Sequence, residues 1–260
     1  MGRTPPRTQS QLVEQAKALA ALHRAGKPLV LPNAWDAASA RAVEAAGFPV
    51  VATTSAGVAR SLGYEDHEGA PVEEMLAAAA RIARAVAAPV TVDFEAGYGL
   101  APDEMIERLL EAGAVGCNFE DTDHGAHRLV EAKVQAERIA ALRVAASRSG
   151  VPFVLNARVD VFLHEFASEE ARLEEGIRRA LAYRAAGADC VYPILMREPA
   201  SIVHFVREVR CPVNVLAAGG ATSVPALAET GVHRISFGGL LHTHAMRDLR
   251  AALETLRLST

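Results

Sequence analysis

Pro89-Val90-Thr91-Val92-Asp93-Phe94-Glu95-Ala96-Gly97-Tyr98-Gly99 is a short apolar run that opens on a proline and closes on two carboxylates and a glycine turn. Pro89 cannot donate to a sheet ladder, so it marks the start of a strand. Apolar residues on both faces fit a strand covered on both sides, as in a parallel sheet. Ala-rich amphipathic patterns near 72–87 and 102–113 flank it at helical period. The same unit recurs along the chain. The strand candidates are Leu29–Pro32, Val50–Thr54, Val90–Phe94, Gly116–Phe119, Phe153–Ala157, Cys190–Ile194, Val213–Ala217 and Arg234–Phe237. Helical patterns lie near 37–47, 129–149, 167–187, 197–209, 223–231 and 240–257, and a leading helix spans about 10–26. Gly47, Gly113, Gly187 and Gly231 each close a helical pattern just before a strand, as left-handed caps do.

Eight such units predict an α/β fold, a TIM (β/α)8 barrel with an extra N-terminal helix, as one domain over 1–260. A doubly wound open sheet is the alternative, but no GxGxxG follows the first strand. The chain has 260 residues, half of them hydrophobic, and a net charge of -4. That balance excludes a disordered chain, and the absence of a basic cluster excludes a nucleic-acid partner. No apolar run approaches the roughly 20 residues that span a bilayer, and the start does not read as a signal peptide, so neither membrane nor export is expected and the expected compartment is cytoplasmic. Only three lysines occur, Lys17, Lys27 and Lys133, none placed for Schiff-base chemistry. Cys117, Cys190 and Cys211 have no metal or redox spacing and are expected to be buried thiols.

In a TIM barrel the active site forms at the C-terminal ends of the strands. Polar residues gather there: Asn33 and Asp36, Thr53-Thr54-Ser55, Asp93 and Glu95, Asn118, Glu120 and Asp121, and Asn156, Arg158 and Asp160. Asp93 and Glu95 stand two apart, which puts both on one side of an extended strand, where they repel unless a cation lies between them. Glu120 arrives from the next strand. Carboxylate oxygens with no His or Cys at matching spacing favour a hard ion, Mg2+ or Mn2+.

These segments resemble the isocitrate lyase and phosphoenolpyruvate mutase superfamily. Asp93-Phe94-Glu95-Ala96-Gly97-Tyr98-Gly99 is similar to its D-x-[DE]-x-G-Y-G metal loop, Phe119-Glu120-Asp121 to its strand-four E-D and Asn156-Ala157-Arg158 to its strand-five A-R. Leu62-Gly63-Tyr64-Glu65-Asp66 is similar to the L-G-x-x-D after strand two, and Ser39-Ala40-Arg41 adds a match after strand one. The resemblance implies a Mg2+-dependent lyase or decarboxylase that acts on a small 2-oxo or 2-hydroxy carboxylic acid through a metal-bound enolate. It implies that Asp93 binds the metal and contacts the substrate, while Asp66, Glu95 and Glu120 hold the metal's water ligands. It places Arg158 on a substrate carboxylate or oxyanion, and Thr54, Ser55 and Ala56 around the substrate carboxylate.

The lyases of this superfamily carry K-[KR]-C-G-H after the strand-four E-D, with Cys as acid/base. Here the stretch is Thr122-Asp123-His124-Gly125-Ala126-His127-Arg128-Leu129, without Cys or Lys. His124 is the candidate replacement, which makes Arg158, Asp66 and His124 the expected catalytic set. His67 reads as a loop bystander. The alternatives are a C–P bond enzyme like the mutase or phosphonopyruvate hydrolase, a phosphate site at Ala218-Gly219-Gly220 and Gly238-Gly239, and a barrel that binds a metabolite without turnover. Arg234 begins its strand at the end away from such a phosphate site. A homodimer or homotetramer is expected, with the helix at 240–257 crossing between subunits or packing on its own barrel.

Overall fold

The first strand changes partner at Pro32. Leu29–Leu31 pairs with Arg234–Ser236, and Asn33–Ala34 pairs with Val51–Thr53. Pro32 has no N–H to give to either ladder, so the hand-over costs no backbone bond there. In this computed structural model, which describes residues 6–217 and 223–258, the eight expected strands all form. They are β1 (Leu29–Leu31 and Asn33–Ala34), β2 (Val51–Thr53), β3 (Val90–Asp93), β4 (Gly116–Glu120), β5 (Val154–Val159), β6 (Cys190–Pro193), β7 (Asn214–Leu216) and β8 (Arg234–Ser236). Each is parallel to its neighbours, β6 meets β7 through the bridge Val191–Val213, and β8 returns to β1. The result is a closed parallel barrel with helices outside it, as the apolar strands predict.

The leading helix runs Gln9–Leu22, shorter than the expected 10–26, and opens on a capping box between Thr8 and Gln11. It buries Leu12, Ala16 and Leu19 against Val50, Val115, Val151 and Val154 at the starts of the strands. That seals one end of the barrel and leaves the carboxyl ends of the strands for chemistry. The larger core, including Phe94, Phe153, Phe205, Ile82 and Leu109, lies between strands and outer helices. Each fully buried side chain of this kind contributes roughly 1.5–3 kcal/mol.

Three elements escape the sequence pattern: a helix at Ser55–Leu62, a short antiparallel hairpin of Thr122–Asp123 with Arg128–Leu129, and a 3-10 turn at Asp160–Leu163. Ser55-Ala56-Gly57-Val58-Ala59-Arg60-Ser61-Leu62 is a poor helix former by propensity. Tertiary packing fixes it. A Cβ at Gly57 would meet Thr54 Cγ2 at 2.6 Å and Trp35 Cβ at 3.1 Å, so only glycine lets the helix sit this close. The last helix, Leu240–Leu258, packs His242 edge-on against Trp35 and then leaves Leu249, Leu253 and Leu256 exposed at 49, 55 and 64%. Its outer apolar stripe is therefore not covered by the described part of its own barrel. No helix among the described residues is long and apolar enough to cross a membrane. The segment Ala218-Gly219-Gly220 lies outside the described residues.

His23, just past the leading helix, is buried with Nδ1 2.8 Å from the Leu19 carbonyl oxygen, and its Nε2 has no partner. Burial, helped by the nearby Arg234, pushes its pKa down to about 4. The unfolded chain binds a proton near pH 6.5 that the folded chain refuses until about pH 4. Stability is therefore present above pH 6.5 and lost as pH falls toward 4, by up to about 3 kcal/mol. Urea unfolding at pH 7 and pH 4.5 checks this: His23→Leu should lose less stability between the two than the wild type. Equal losses would remove His23 as the cause.

Candidate active site

Register sets two layers at the carboxyl end of the barrel. Asp93, Asn118 and Asn156 lie side by side across β3, β4 and β5, and Glu120 lies beside Arg158 two residues further on. The lower layer is a hydrogen-bonded row. Asn156 Nδ2 donates to Asn118 Oδ1 at 2.8 Å, and Asn118 Nδ2 donates to Asp93 Oδ1 at 3.0 Å. Asp93 Oδ2 accepts from the Ser55 N–H at 3.1 Å and from the Ser55 hydroxyl at 3.0 Å. Helix Ser55–Leu62 thus begins on Asp93, where its N-terminal dipole favours the negative charge. Ser55, expected on the substrate, spends its donors on Asp93. Thr54 caps the helix, its hydroxyl accepting from the Gly57 N–H, and Ala56 sits in the first turn beside them.

Glu95 reaches the site by a route different from the expected strand alternation. β3 ends at Asp93, and Glu95 has a left-handed backbone with φ 47°. Its backbone carbonyl accepts from the Glu120 N–H at 3.0 Å, which pins the turn to the next strand. Its side chain is buried: Oε2 accepts from the Glu68 N–H at 2.6 Å, and Oε1 accepts from the Tyr98 hydroxyl. Burial pushes its pKa up to about 7 against those two donors, and the charges of Asp66 and Asp93 push it further the same way. The Gly97-Tyr98-Gly99 turn donates its Tyr98 N–H to Glu68 Oε1 at 2.6 Å. Gly97 has φ 92°, and a Cβ there would stand 3.0 Å from Phe119 Cε2.

Glu120 is buried between His124 and Arg158. His124 Nε2 contacts Oε1, and Arg158 Nη2 stands 2.5 Å from Oε2 without the alignment of a hydrogen bond. Burial holds its pKa well above the usual carboxylate range, with Arg158 opposing and Asp160, Asp93 and Glu95 adding to the rise. Arg158 itself is gripped from below: Nε donates to Asp160 Oδ1 at 2.7 Å and Nη2 to Asp160 Oδ2 at 2.9 Å. Asp66 offers an Oδ1 that is buried and has no partner.

Three residues, His67, Arg234 and Glu68, were not readable as site features in the sequence, and Asp121, which was, takes a supporting role there. His67, expected to be a bystander, comes beside His124 with ring centroids 5.1 Å apart. Asp121 accepts from Arg179 Nη1 at 2.9 Å, from the Tyr183 hydroxyl at 2.6 Å and from the Asp160 N–H at 2.8 Å, so it supports Asp160 and through it Arg158. Arg234 starts β8 at the far end, yet its side chain runs up the barrel interior until Nη2 donates to Asn118 Oδ1 at 3.2 Å. Glu68, a loop acid, becomes the partner of Tyr98. Only the acids at strand ends carried a sequence signal, because their position follows from the strand count; the others depend on side-chain reach between distant segments.

The donor set fits a divalent cation. Asp66, Asp93, Glu95 and Glu120 feel one another's charge, and Arg158, the cation paired with Glu120, is already shared with Asp160. Asp66 Oδ1 lacks a donor, Glu120 Oε2 meets only Arg158, and burial, with the neighbouring acids adding to it, raises the pKa values of Glu95 and Glu120. One ligand atom each from His67, Glu95 and His124 also falls within 4.8 Å of the others.

Comparison with known proteins gives the family. The chain is 38% identical to the uncharacterized protein Rv1998c of Mycobacterium tuberculosis, over 84% of this chain and 81% of that one. It is 29% identical to the probable 2-methylisocitrate lyase 2 of Corynebacterium glutamicum, over 92% and 80% respectively. Among solved structures, a Burkholderia cenocepacia J2315 protein provisionally assigned as a phosphonomutase superposes with TM-score 0.88 at 42% identity, covering 93% of this chain and 99% of the other. The 2,3-dimethylmalate lyase of the PEP mutase/isocitrate lyase superfamily superposes with TM-score 0.83 at 26% identity, covering 94% and 87%. The profile of the phosphoenolpyruvate phosphomutase family matches residues 19–257, nearly the whole barrel, and with the TIM-barrel architecture and the acids at its strand ends this makes the chain an enzyme belonging to that family.

Proposed function

We propose that the protein is a Mg2+-dependent carbon–carbon lyase or decarboxylase acting on a small 2-oxo or 2-hydroxy carboxylic acid. The observation that carries this is the cluster of buried carboxyl groups at the barrel mouth, with Asp66 Oδ1 lacking a donor and Glu120 Oε2 met only by the ion-pair contact of Arg158, an Arg held in place from below. Asp93 would hold the ion, with Asp66, Glu95 and Glu120 around its water shell; Mg2+ or Mn2+ supplies Lewis-acid stabilisation of negative charge on oxygen when bound. The chain's own residues do the rest. Ser55 and Asn118 fix the orientation of Asp93. The Asp160 fork spends Nε and Nη2 of Arg158, which leaves Nη1 for a substrate carboxylate or for the oxygen that becomes negative as a bond breaks. His124, held against Glu120, delivers the proton to the enolate carbon after cleavage.

The named relatives support carbon–carbon chemistry: besides the lyases above, the chain is 26% identical to oxaloacetate decarboxylase 2 of Pseudomonas fluorescens over 86% of its length. The Burkholderia structure favours the C–P alternative as second reading. A dianionic phosphonate would need more cationic groups than the single Arg158 that lines the cavity here, and that Arg is shared with Asp160 and Glu120. Turnover of a panel of 2-oxo acids, 2-hydroxy acids and phosphonopyruvate, with Mg2+ and with EDTA, decides between them. An EDTA-sensitive C–C cleavage is expected; EDTA-insensitive turnover would overturn the metal assignment, and turnover of phosphonopyruvate alone would reverse the order. The exposed leucines of the last helix support a homodimer or homotetramer in which they are buried.

A further inference from the structure

His67 sits after helix Ser55–Leu62 and His124 on the hairpin after β4, so 57 positions of sequence separate them and no motif links them. In the fold they converge on Glu95. One ring nitrogen of each and one carboxylate oxygen of Glu95 lie within 4.8 Å of one another. They border a cavity of about 170 Å³ whose wall also carries His127, His164 and Arg158. Two unsatisfied groups belong to the same neighbourhood: Asp66 Oδ1, one residue before His67, and His164 Nε2 are both buried without a partner. His124 is already oriented by a carboxylate, because Nε2 contacts Glu120 Oε1. Imidazoles that ligate metals typically show such a bond, which fixes ring and tautomer.

We propose a second cation site at His67, Glu95 and His124, which shares Glu95 with the Asp93-centred magnesium site and is selective for zinc or a late first-row divalent metal. Two imidazole nitrogens and one carboxylate, with a ring of further histidines, match the ligand preference of Zn2+, Co2+ and Ni2+ and not that of Mg2+, which keeps to oxygen and water. Three protein ligands around a cavity leave an open coordination position. The spacing needs only a modest inward movement of the exposed His67, since metal–nitrogen bonds near 2.1 Å put ligand atoms closer together than the observed limit. Occupation takes Glu95 and His124 out of the roles assigned to them under the proposed function. Zinc is therefore expected to inhibit the magnesium-dependent reaction, a consequence that rests on that reading while the binding itself does not.

Isothermal titration of Zn2+ into metal-free full-length protein, with Mg2+ held in excess, tests the site, and Co2+ absorption gives an independent readout of nitrogen ligation. One Zn2+ per chain is expected. His67→Ala and His124→Ala should each weaken it by at least about tenfold, and the double variant should abolish it. His204→Ala, on the exposed helix Pro199–Val209, should leave it unchanged. Zinc binding that survives in the double variant, or Co2+ spectra that do not change in it, would overturn the proposal. Binding lost in Asp93→Ala but kept in both histidine variants would also overturn it and leave the magnesium reading standing. Zinc binding at the histidines without inhibition would keep the site and remove His124 from proton delivery.

Discussion

Asp93→Ala is expected to lower magnesium-dependent turnover roughly a thousandfold, about 4 kcal/mol of transition-state stabilisation, while the protein stays folded. The size follows from what the carboxylate does. It is the acid of the hydrogen-bonded row, held by Ser55 from one side and Asn118 from the other, and its charge contributes to the raised pKa values of Glu95 and Glu120. Its removal strips the proposed ion of its direct ligand and leaves the surrounding acids with no shared partner. The structural cost is smaller. Three hydrogen bonds from neutral donors end on Asp93, and their net loss is about 1–3 kcal/mol in a partly buried position. Asp93→Asn separates charge from shape, because the amide keeps the size and part of the bonding. Calorimetry with Mg2+ and steady-state kinetics should show both variants without metal affinity and both with cooperative unfolding. Turnover within tenfold of wild type in Asp93→Ala would end the assignment.

Arg179→Met is expected to cost about 3–5 kcal/mol of stability at pH 8, the largest loss predicted for a single change outside the catalytic layer. Arg179 Nη1 donates to Asp121 Oδ2 at 2.9 Å and to the Val130 carbonyl at 2.8 Å, while its Nε donates to Glu175 at 2.7 Å. Without the guanidinium, Asp121 becomes a fully buried carboxylate without a countercharge. Burial, and the charge of Asp160 beside it, already push the Asp121 pKa up to about 6, with the Tyr183 hydroxyl, the Asp160 N–H and Arg179 holding it down. The folded chain therefore takes up this proton before the unfolded chain does, and Asp121 weakens the fold progressively as pH rises from 4 through 6. Losing Arg179 raises that folded pKa further. The deficit of the variant should thus shrink toward pH 5, where Asp121 is protonated and neutral. Urea midpoints of wild type and variant at pH 8 and pH 5 check this; an equal deficit at both would show that Asp121 does not carry the effect. Activity should fall as well, because Asp121 also holds the Asp160 N–H, and Asp160 holds Arg158.

The strand count was legible because burial on both faces leaves a mark in every strand: Val90-Thr91-Val92 and Gly116-Cys117-Asn118-Phe119 read as strands without any contact being known. The same count located Asp93, Glu120 and Arg158, since the carboxyl ends of parallel strands share one face of the barrel. Helix Ser55–Leu62 was not legible, because its propensity is weak and its close approach to Trp35, which needs a Gly57 without Cβ, appears only in the fold. Glu95 comes near Asp93 by a left-handed turn past the strand end and not by the strand pleat.

The sequence by itself determined the barrel, the family and the acids at its mouth, because period, punctuation and strand-end position are local properties of the chain. Only the tertiary structure decided which groups hold those acids in place. Arg234 reaching Asn118 across 116 positions, Asp121 clasped by Arg179 and Tyr183, and His67 meeting His124 over Glu95 are matters of side-chain reach between segments far apart in the chain. Such encounters leave no periodicity in the sequence, since their energy appears only once folding has removed the water between them.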